Sequence, residues 1–287
     1  MSRSRVEQPR YDAFAETLLP AVHRASAFAR GLEGKVHNSP KLAETTAVKQ
    51  ALTAADVGTQ EIILEALLEH LPQVCLAAEE DTKTVAAFPK DADARVVIDP
   101  IDGTLRSYLE ASGPYAVIVG LTIRGLYHSA LVSLPREGLC FDAVRGGGAY
   151  AALPDGAREP VRAAADGNRV YVSHGMPEAA AEILRSRDYE VVFACGGAVS
   201  VAPLVEGVCA GVRWADTPLG VSIRGRVGVL IAREAGALVQ AANGMEFPED
   251  METASSTLLV ASDPRQLEHL NEALAAVLSS SHAGPYP

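Results

Sequence analysis

The chain has 287 residues, 48% of them hydrophobic, and a formal net charge of −11. This length allows one large or two medium domains, and the acidic charge argues against nonspecific binding to nucleic acid. The sequence has no apolar run long enough for a membrane span, no apolar secretion signal and no CxxC pair among its four cysteines, so we expect a reduced protein of the cytoplasm.

The first half of the chain reads as two helices followed by strands at hairpin spacing. Apolar residues at helical spacing predict helices over about 11–30 and 57–69. Short apolar runs predict strands around 74–76, 95–98, 116–123, 125–134, 139–144 and 149–151. This order is typical of an α+β layer.

The second half alternates between strands and helices from about residue 166, which is typical of an α/β domain. Strands are predicted around 170–173, 189–193 and 212–214, and helices around 177–187, 200–208 and 226–235. A loop rich in Pro and Gly at 153–156 separates the two patterns. We therefore expect an N-terminal domain over 1–154 and a C-terminal domain over 155–287.

The segment from Val96 to Thr104 contains two carboxylates three residues apart, where a predicted buried strand breaks into a turn. Asp99 and Asp102 are oxygen donors of the kind that Mg²⁺ prefers. The peptide groups of the following Gly103 and Thr104 suit a phosphate. An ordinary Asp-Gly turn is the alternative interpretation.

Other acids precede this turn in the sequence. Glu79, Glu80 and Asp81 follow an apolar segment, and Asp56 lies near the start of the second predicted helix. In isolation, Asp56 is typical of a helix cap and the run 79–81 of a solvated charged surface. Alternatively, these acids complete a metal site with Asp99 and Asp102.

The order of the motifs resembles the inositol monophosphatase family and its relatives, which include the bisphosphate nucleotidases and fructose-1,6-bisphosphatases. The motifs are T-x-x-D at 53–56, E-E-D at 79–81, D-P-I-D-G-T at 99–104 and E-A-G-A at 234–237, close to the family's EAGG. The resemblance implies a layered αβαβα sandwich of α+β and α/β character, with metals between the two domains. It also implies a homodimer.

The resemblance further implies roles for individual residues. Mg²⁺ would be bound by Glu79, Asp99, Asp102 and the carbonyl of Ile101. Asp56 and Thr104 would orient the attacking water, and Glu80 would set the geometry of the metal ligands. Substrate would be contacted by Gly103, Thr104 and Gly197, the last in a turn that equally suits a helix start without ligand.

The family pattern fails at position 224. Relatives carry a Trp-Asp pair ten residues before the Glu of EAGG, and its Asp binds the second metal. Counting back from Glu234 gives Ile223 and Arg224. An alternative alignment would use Trp214 and Asp216 instead, but it is shifted by eight residues against Glu234. We therefore prefer the ungapped alignment and keep Asp216 as a possible substitute ligand.

Arg224 leaves two possibilities open. Its guanidinium either pairs with Asp99 and Asp102 and competes with metal, or it clamps phosphate oxygens in place of an ion. The first metal position is therefore complete in the sequence, whereas the second and third are open.

The sequence predicts a Mg²⁺-dependent phosphomonoesterase acting on a small sugar, cyclitol or nucleotide phosphate. The alternative is a protein of this fold that binds a phosphorylated small molecule with weak, lost or altered catalysis because of Arg224. A purely structural role fits least, because the acids at 56, 79, 99 and 102 keep the family spacing. The expected partner is a phosphorylated small molecule, with neither nucleic acid nor membrane.

Overall fold

The computed structural model describes residues 11–42, 46–50, 52–164, 166–215 and 220–281. Its first sheet has seven strands, which lie side by side in chain order. They are β1 (Cys75–Ala77), β2 (Ala94–Asp102), β3 (Ala116–Ile123), β4 (Leu126–Leu134), β5 (Leu139–Val144), β6 (Gly148–Ala152) and β7 (Arg158–Pro160). Among the described strands of this sheet, β1 and β2 run parallel, and the later strands follow as antiparallel neighbours.

The second sheet has five strands in the order β11-β12-β10-β8-β9. They are β8 (Arg169–Ser173), β9 (Glu190–Ala194), β10 (Val208–Trp214), β11 (Leu238–Gln240) and β12 (Thr257–Ala261). β8 is parallel to both β9 and β10, whereas β12 is antiparallel to β10 and β11. This sheet therefore combines the parallel pairing of an α/β unit with an antiparallel edge.

Helices form three layers around the two sheets. They are α1 (Phe14–Leu32), α2 (Ala47–Gln50), α3 (Ala54–His70), α4 (Glu178–Arg185), α5 (Gly196–Ser200), α6 (Val227–Glu234) and α7 (Pro264–Ser281). α1 and α3 share a core with one face of the first sheet, α5 and α6 pack between the sheets, and α4 and α7 cover the far face of the second. The predicted αβαβα sandwich is confirmed.

The predicted and observed elements differ in several places. The helix predicted over 200–208 is wrong: α5 ends at Ser200, a short 3-10 turn covers Ala202–Leu204, and β10 begins at Val208. Pro203 lacks an N–H for a continuing helix and Gly207 has a φ of +74°, so the chain turns between α5 and β10. The final helix α7 was not predicted. β7 extends the first sheet beyond residue 154, and the domain division at that residue stays a prediction.

Of the helices in the described parts of the chain, none has the length and apolar character that crossing a bilayer requires.

Candidate active site

A β-bulge in β2 brings the two predicted metal-binding aspartates to one face of the first sheet. β2 continues to Asp102, past the predicted strand end, and its register against β3 shifts between Asp99 and Asp102. In a regular strand, residues three apart point to opposite faces. Here Asp99 pairs with Ile118 and Asp102 with Ala116, so the extra residue places both aspartates toward the layer between the sheets.

Asp99 is buried and incompletely satisfied. Its Oδ1 has no hydrogen-bond partner, and its carboxyl group is in hydrogen-bond contact with that of Glu79. Burial raises the pKa of Asp99 well above its ordinary value, and the charges of Glu79 and Asp102 raise it further. An ionised Asp99 therefore lacks a compensating positive charge at its free oxygen.

The chemistry of the predicted ligands suits Mg²⁺, which takes oxygen donors, and the buried Asp99 Oδ1 has no hydrogen-bond partner. The neighbouring Asp102 accepts a hydrogen bond of 2.5 Å at Oδ2 from the Gly197 N–H. As the side chains stand, the described residues contain no group of three or more His, Cys, Asp or Glu arranged to hold a metal. The ligand roles of Glu79, Asp99, Ile101 and Asp102 stay predictions.

Asp56 and Thr104 are in contact next to these carboxylates. Asp56 accepts hydrogen bonds at Oδ2 from the Thr53 N–H and hydroxyl, at 2.7 and 2.6 Å. These bonds and the Thr53 side chain complete a capping box that starts α3. At Oδ1, Asp56 lies 2.9 Å from Thr104 Oγ1. Burial raises the pKa of Asp56, and the bonds from Thr53 and Thr104 oppose that rise.

The Thr104 hydroxyl has two acceptors within reach, Asp56 Oδ1 and the Ile101 carbonyl at 2.8 Å. Its single hydrogen serves one of them, so its oxygen lone pairs stay available to accept a hydrogen bond from water. The structure thus brings together the pair that the sequence predicted to orient a water.

Glu80 is held in place by the side-chain amide of Gln60 and by the ammonium group of Lys41. Its N–H and carbonyl bond to the side-chain amide of Gln60 at 2.9 and 2.7 Å. Lys41 Nζ lies 2.5 Å from Glu80 Oε1 and 3.8 Å from Glu79 Oε1. Burial raises the pKa of Glu80, and Lys41 lowers it. Lys41 is a cation at this site that the sequence interpretation missed.

Arg224 begins a 3-10 turn, Arg224–Arg226, directly before α6. Its Nε donates to the Ile98 carbonyl at 3.2 Å, and its Nη2 donates to the Ala78 carbonyl at 3.0 Å. These carbonyls belong to the residues just before Asp99 and Glu79. Among the described residues Arg224 bonds to these two carbonyls and forms no ion pair with Asp99 or Asp102, so the first of the two possibilities left open by the sequence is not realised. Its charge nevertheless favours the ionised form of Asp99 and lowers the pKa of that group.

The alternative ligand Asp216 lies outside the described residues. Its neighbour Trp214 is the last residue of β10 and packs partly buried against the core shared with α4 and α7. Arg224 lies beside Asp99 through its bond to the Ile98 carbonyl, and the role of Asp216 stays a prediction.

Comparison with known proteins decides the family. A model of the inositol monophosphatase family matches residues 14–208. The chain belongs to this family.

Individual members of the family are distant relatives of this chain. A histidinol-phosphatase from Chlorobaculum parvum is 31% identical over 99 residues, 34% of this chain and 36% of the relative. A Nus factor SuhB from Salmonella typhimurium is 28% identical over 134 residues, 46% of this chain and 49% of the relative. The matched part thus spans about a third to a half of the length of these curated relatives.

The fold is shared with solved structures over nearly the whole chain. The IMPase of Thermotoga maritima has a TM-score of 0.69 at 20% identity, covering 94% of this chain and 100% of the other. At this identity the likeness shows the fold.

The E-A-G-A segment of this family member has a structural role. Glu234, the last residue of α6, accepts hydrogen bonds from the N–H groups of Gly146 and Gly148 at 2.7 and 3.0 Å. Gly146 lies in the turn between β5 and β6, and Gly148 begins β6. Glu234 therefore binds the middle helix layer to the first sheet.

Two glycines lie directly beside the carboxylates. Gly103 has φ of +91°, and a Cβ there would lie 2.8 Å from Cys195 Cβ, so both backbone and space require glycine. The single N–H of Gly197 is used by Asp102, and a Cβ at Gly197 would lie 2.8 Å from Ala116 Cβ. Substrate contacts at Gly103 and Gly197 stay predictions.

A cleft with a volume of about 340 Å³ opens beside the aspartate turn. Its lining includes Asp102, Gly103, His174, Cys195 and Arg213. His174 Nε2 lies 3.3 Å from Ser107 Oγ and 3.1 Å from the Ser112 carbonyl, and burial lowers its pKa. Sequence reasoning missed Arg213, whose one signal was a lone charge within an apolar strand.

Proposed function

We propose that this chain hydrolyses a phosphomonoester of a small metabolite with the help of bound Mg²⁺. The observation that carries the proposal is the 2.9 Å contact between Thr104 Oγ1 and Asp56 Oδ1, next to the carboxylates of Glu79, Asp99 and Asp102. Membership of the inositol monophosphatase family supports it, as does the similarity to a histidinol-phosphatase over about a third of the chain.

In the proposed reaction, Thr104 accepts a hydrogen bond from the attacking water. As the water oxygen forms its bond to phosphorus, its proton passes to Thr104 Oγ1 while the Thr104 proton passes to Asp56. The ester oxygen leaves with the electron pair of the broken P–O bond and takes up a proton from solvent, and Asp56 releases its proton to solvent. The pair Thr53 and Ile101 keeps the relay aligned, because each contacts one of its members.

Mg²⁺, when bound, would neutralise phosphoryl charge and lower the pKa of a bound water. Glu79, Asp99, Asp102 and the Ile101 carbonyl are the residues that would hold it. Glu80 keeps the preceding Glu79 in place through its bonds to Gln60. Positioning and charge neutralisation are the main demands of phosphoryl transfer.

Arg224 takes over part of the charge that a second ion supplies in relatives. Its guanidinium is fixed by the carbonyls of Ala78 and Ile98, and its remaining N–H groups suit the oxygens of a phosphate. We therefore propose one metal ion and one guanidinium in this site. Asp216 stays a possible additional ligand.

Release of inorganic phosphate from a panel of sugar, cyclitol and nucleotide phosphates tests this proposal. We expect release that requires Mg²⁺, ceases with a chelator and is abolished by Asp99→Asn. The matched control is Asp93→Asn, since Asp93 is an exposed aspartate paired with Arg124 at 3.3 Å. Release that persists without divalent metal, or in Asp99→Asn, would contradict metal-assisted hydrolysis.

A second candidate, binding of a phosphorylated small molecule without hydrolysis, is favoured by Arg224 itself. If it holds, the wild type is inert and Arg224→Asp gains Mg²⁺-dependent release. Arg224→Gln is the control, because it removes the charge without adding a carboxylate ligand. Activity in the wild type that Arg224→Gln or Arg224→Asp reduces would instead support the hydrolase. The homodimer and the cytoplasmic location stay predictions from the sequence.

A further inference from the structure

Arg213 is a half-buried cation, and one nitrogen of its guanidinium has no partner. Its Nη1 atom is buried and has no hydrogen-bond partner, and no described carboxylate pairs with its side chain. A guanidinium carries five N–H donors and stays charged at any physiological pH. Removing the Nη1 end of such a group from water without a hydrogen-bond acceptor is costly.

Other inward-facing arginines of this chain are satisfied. Arg158 donates to Asp142 at 3.1 Å. Arg226 donates to two backbone carbonyls, each at 2.9 Å. The missing partner of Arg213 is therefore a property of its site and not of arginines in this fold.

Two glycines make room for the Arg213 guanidinium. Arg213 shares a face of β10 with Gly211, and a Cβ at Gly211 would lie 2.3 Å from the Val199 carbonyl oxygen of α5, so this face is turned toward the layer between the sheets. A Cβ at Gly196 or Gly225 would lie 1.7 or 1.9 Å from Arg213 Nη1. Neither of these two glycines has a left-handed φ, so space, rather than backbone conformation, accounts for them.

The slot that holds the guanidinium adjoins the proposed reaction site. Gly196 and Arg213 line the same cleft of about 340 Å³ as Asp102 and Gly103. Gly225 directly follows Arg224. The unpartnered cation therefore lies beside the carboxylate turn, in a cleft at the small end of the range for metabolite sites.

We propose that Arg213 binds a second anionic group of the substrate, a carboxylate or a phosphate distinct from the phosphoryl group that is hydrolysed. This inference rests on the proposed function for the identity of the reacting group. The planar fork of an arginine matches both anions in bidentate fashion. Such an anion supplies the compensation that Arg213 lacks, so substrates with two anionic groups are preferred over matched substrates with one.

The test compares pairs of ligands that differ by one anionic group. Glucose 1-phosphate is paired with glucose 1,6-bisphosphate, and glycerol 2-phosphate with 2-phosphoglycerate, so the second anion is a phosphate in one pair and a carboxylate in the other. Calorimetry measures affinity, and phosphate release measures kcat and KM. We expect at least one pair to favour the doubly anionic ligand by roughly ten- to a hundred-fold in affinity and KM.

Arg213→Gln is expected to remove this preference while leaving the binding and kcat of the singly anionic ligand nearly unchanged. Arg213→Lys keeps the charge and is expected to keep part of the preference. Arg169→Gln is the matched control, because Arg169 lies in the same sheet and pairs with Glu190 at 3.4 Å. Equal affinity within both pairs, or equal losses for both members in Arg213→Gln, overturns the inference.

The two proposals fail differently. If no phosphate is released but Arg213→Gln still abolishes a calorimetric preference, hydrolysis is wrong and the second anion site stands. If both members of each pair are hydrolysed equally well, hydrolysis stands and the anion site is wrong.

Thermal stability separates the proposed role from a purely structural one. The two roles predict opposite changes in the Tm of Arg213→Gln. Without ligand, Arg213→Gln is expected to raise Tm, because it removes an uncompensated charge. Arg158→Gln is expected to lower Tm, because it breaks a pair with Asp142. A drop in Tm for Arg213→Gln as large as that for Arg158→Gln would show that Arg213 is a structural residue and overturn the inference.

Discussion

Asp99→Asn is expected to make the metal-free protein more stable. Asp99 is buried, with Oδ1 unpaired and a second carboxyl group, that of Glu79, in contact. An asparagine amide keeps the shape of the side chain, removes the charge and donates to Glu79. Relief of one unsatisfied buried group is worth about 1–3 kcal/mol. For a chain of 287 residues that amounts to a rise in Tm of about 2–6 °C.

Mg²⁺ is expected to reverse this order. An ion that binds only the native state adds RT ln(1 + [L]/Kd), which is about 2.7 kcal/mol at a hundred times Kd. The wild type gains this stabilisation and Asp99→Asn does not. Thermal unfolding is followed by circular dichroism from chelator through rising Mg²⁺, with Asp93→Asn as the exposed control. Equal Mg²⁺ responses in wild type and Asp99→Asn, or a lower Tm of the metal-free variant, would refute this reasoning.

The difference in stability between the metal-free wild type and Asp99→Asn is expected to depend on pH. Burial and neighbouring charges raise the pKa of Asp99 in the folded protein, above the value of about 3.9 in an unfolded chain. Its contribution to stability is therefore complete below about pH 4 and is lost as the pH rises through the folded pKa. The advantage of metal-free Asp99→Asn is expected to widen from pH 4 toward pH 8. A gap that stays constant or narrows would show that Asp99 is better compensated than its contacts indicate.

Three further substitutions test the surroundings of the site. Thr104→Val, which removes the water-orienting hydroxyl, is expected to lower kcat by about 10²–10⁴ with little change in KM in steady-state assays; a normal kcat would remove Thr104 from the mechanism. Gly103→Ala is expected to cost about 1–3 kcal/mol in urea unfolding, because φ is +91° and Cys195 lies close; unchanged stability would mean that the turn relaxes freely. Glu234→Ala is expected to cost about 1–3 kcal/mol, since it frees two N–H groups; phosphate release in the surviving folded fraction stays normal if Glu234 is purely structural.

Elements with a strong local signal could be predicted from the sequence. The strands β3 and β5 have the predicted bounds, since their apolar runs end at clear turns. The helix α3 starts three residues earlier than its apolar pattern, because the Thr53 capping box decides its first residue. The helix predicted over 200–208 failed because Pro203 and Gly207, whose φ is +74°, break a continuing helix before β10 begins at Val208.

The features of the candidate site also differ in whether a local sequence signal reveals them. Asp99 and Asp102 stand out in the sequence as a local string, whereas Arg224 was singled out through the family resemblance, by counting back from Glu234. The bulge that turns both aspartates to one face depends on pairing with β3, which no local pattern shows. Arg213 could not be assigned, since the glycines that frame it are distant in sequence and meet only in the folded chain.

The capping box at the start of α3 has a practical consequence for anyone who needs a catalytically silent version of this protein. Asp56 both completes that box and contacts Thr104, so replacing it with alanine removes a helix cap together with the proposed proton acceptor. An inactive Asp56→Ala protein would not separate lost chemistry from a frayed helix. Thr104→Val changes only the hydroxyl side of the contact, and it is the cleaner choice for trapping a bound substrate.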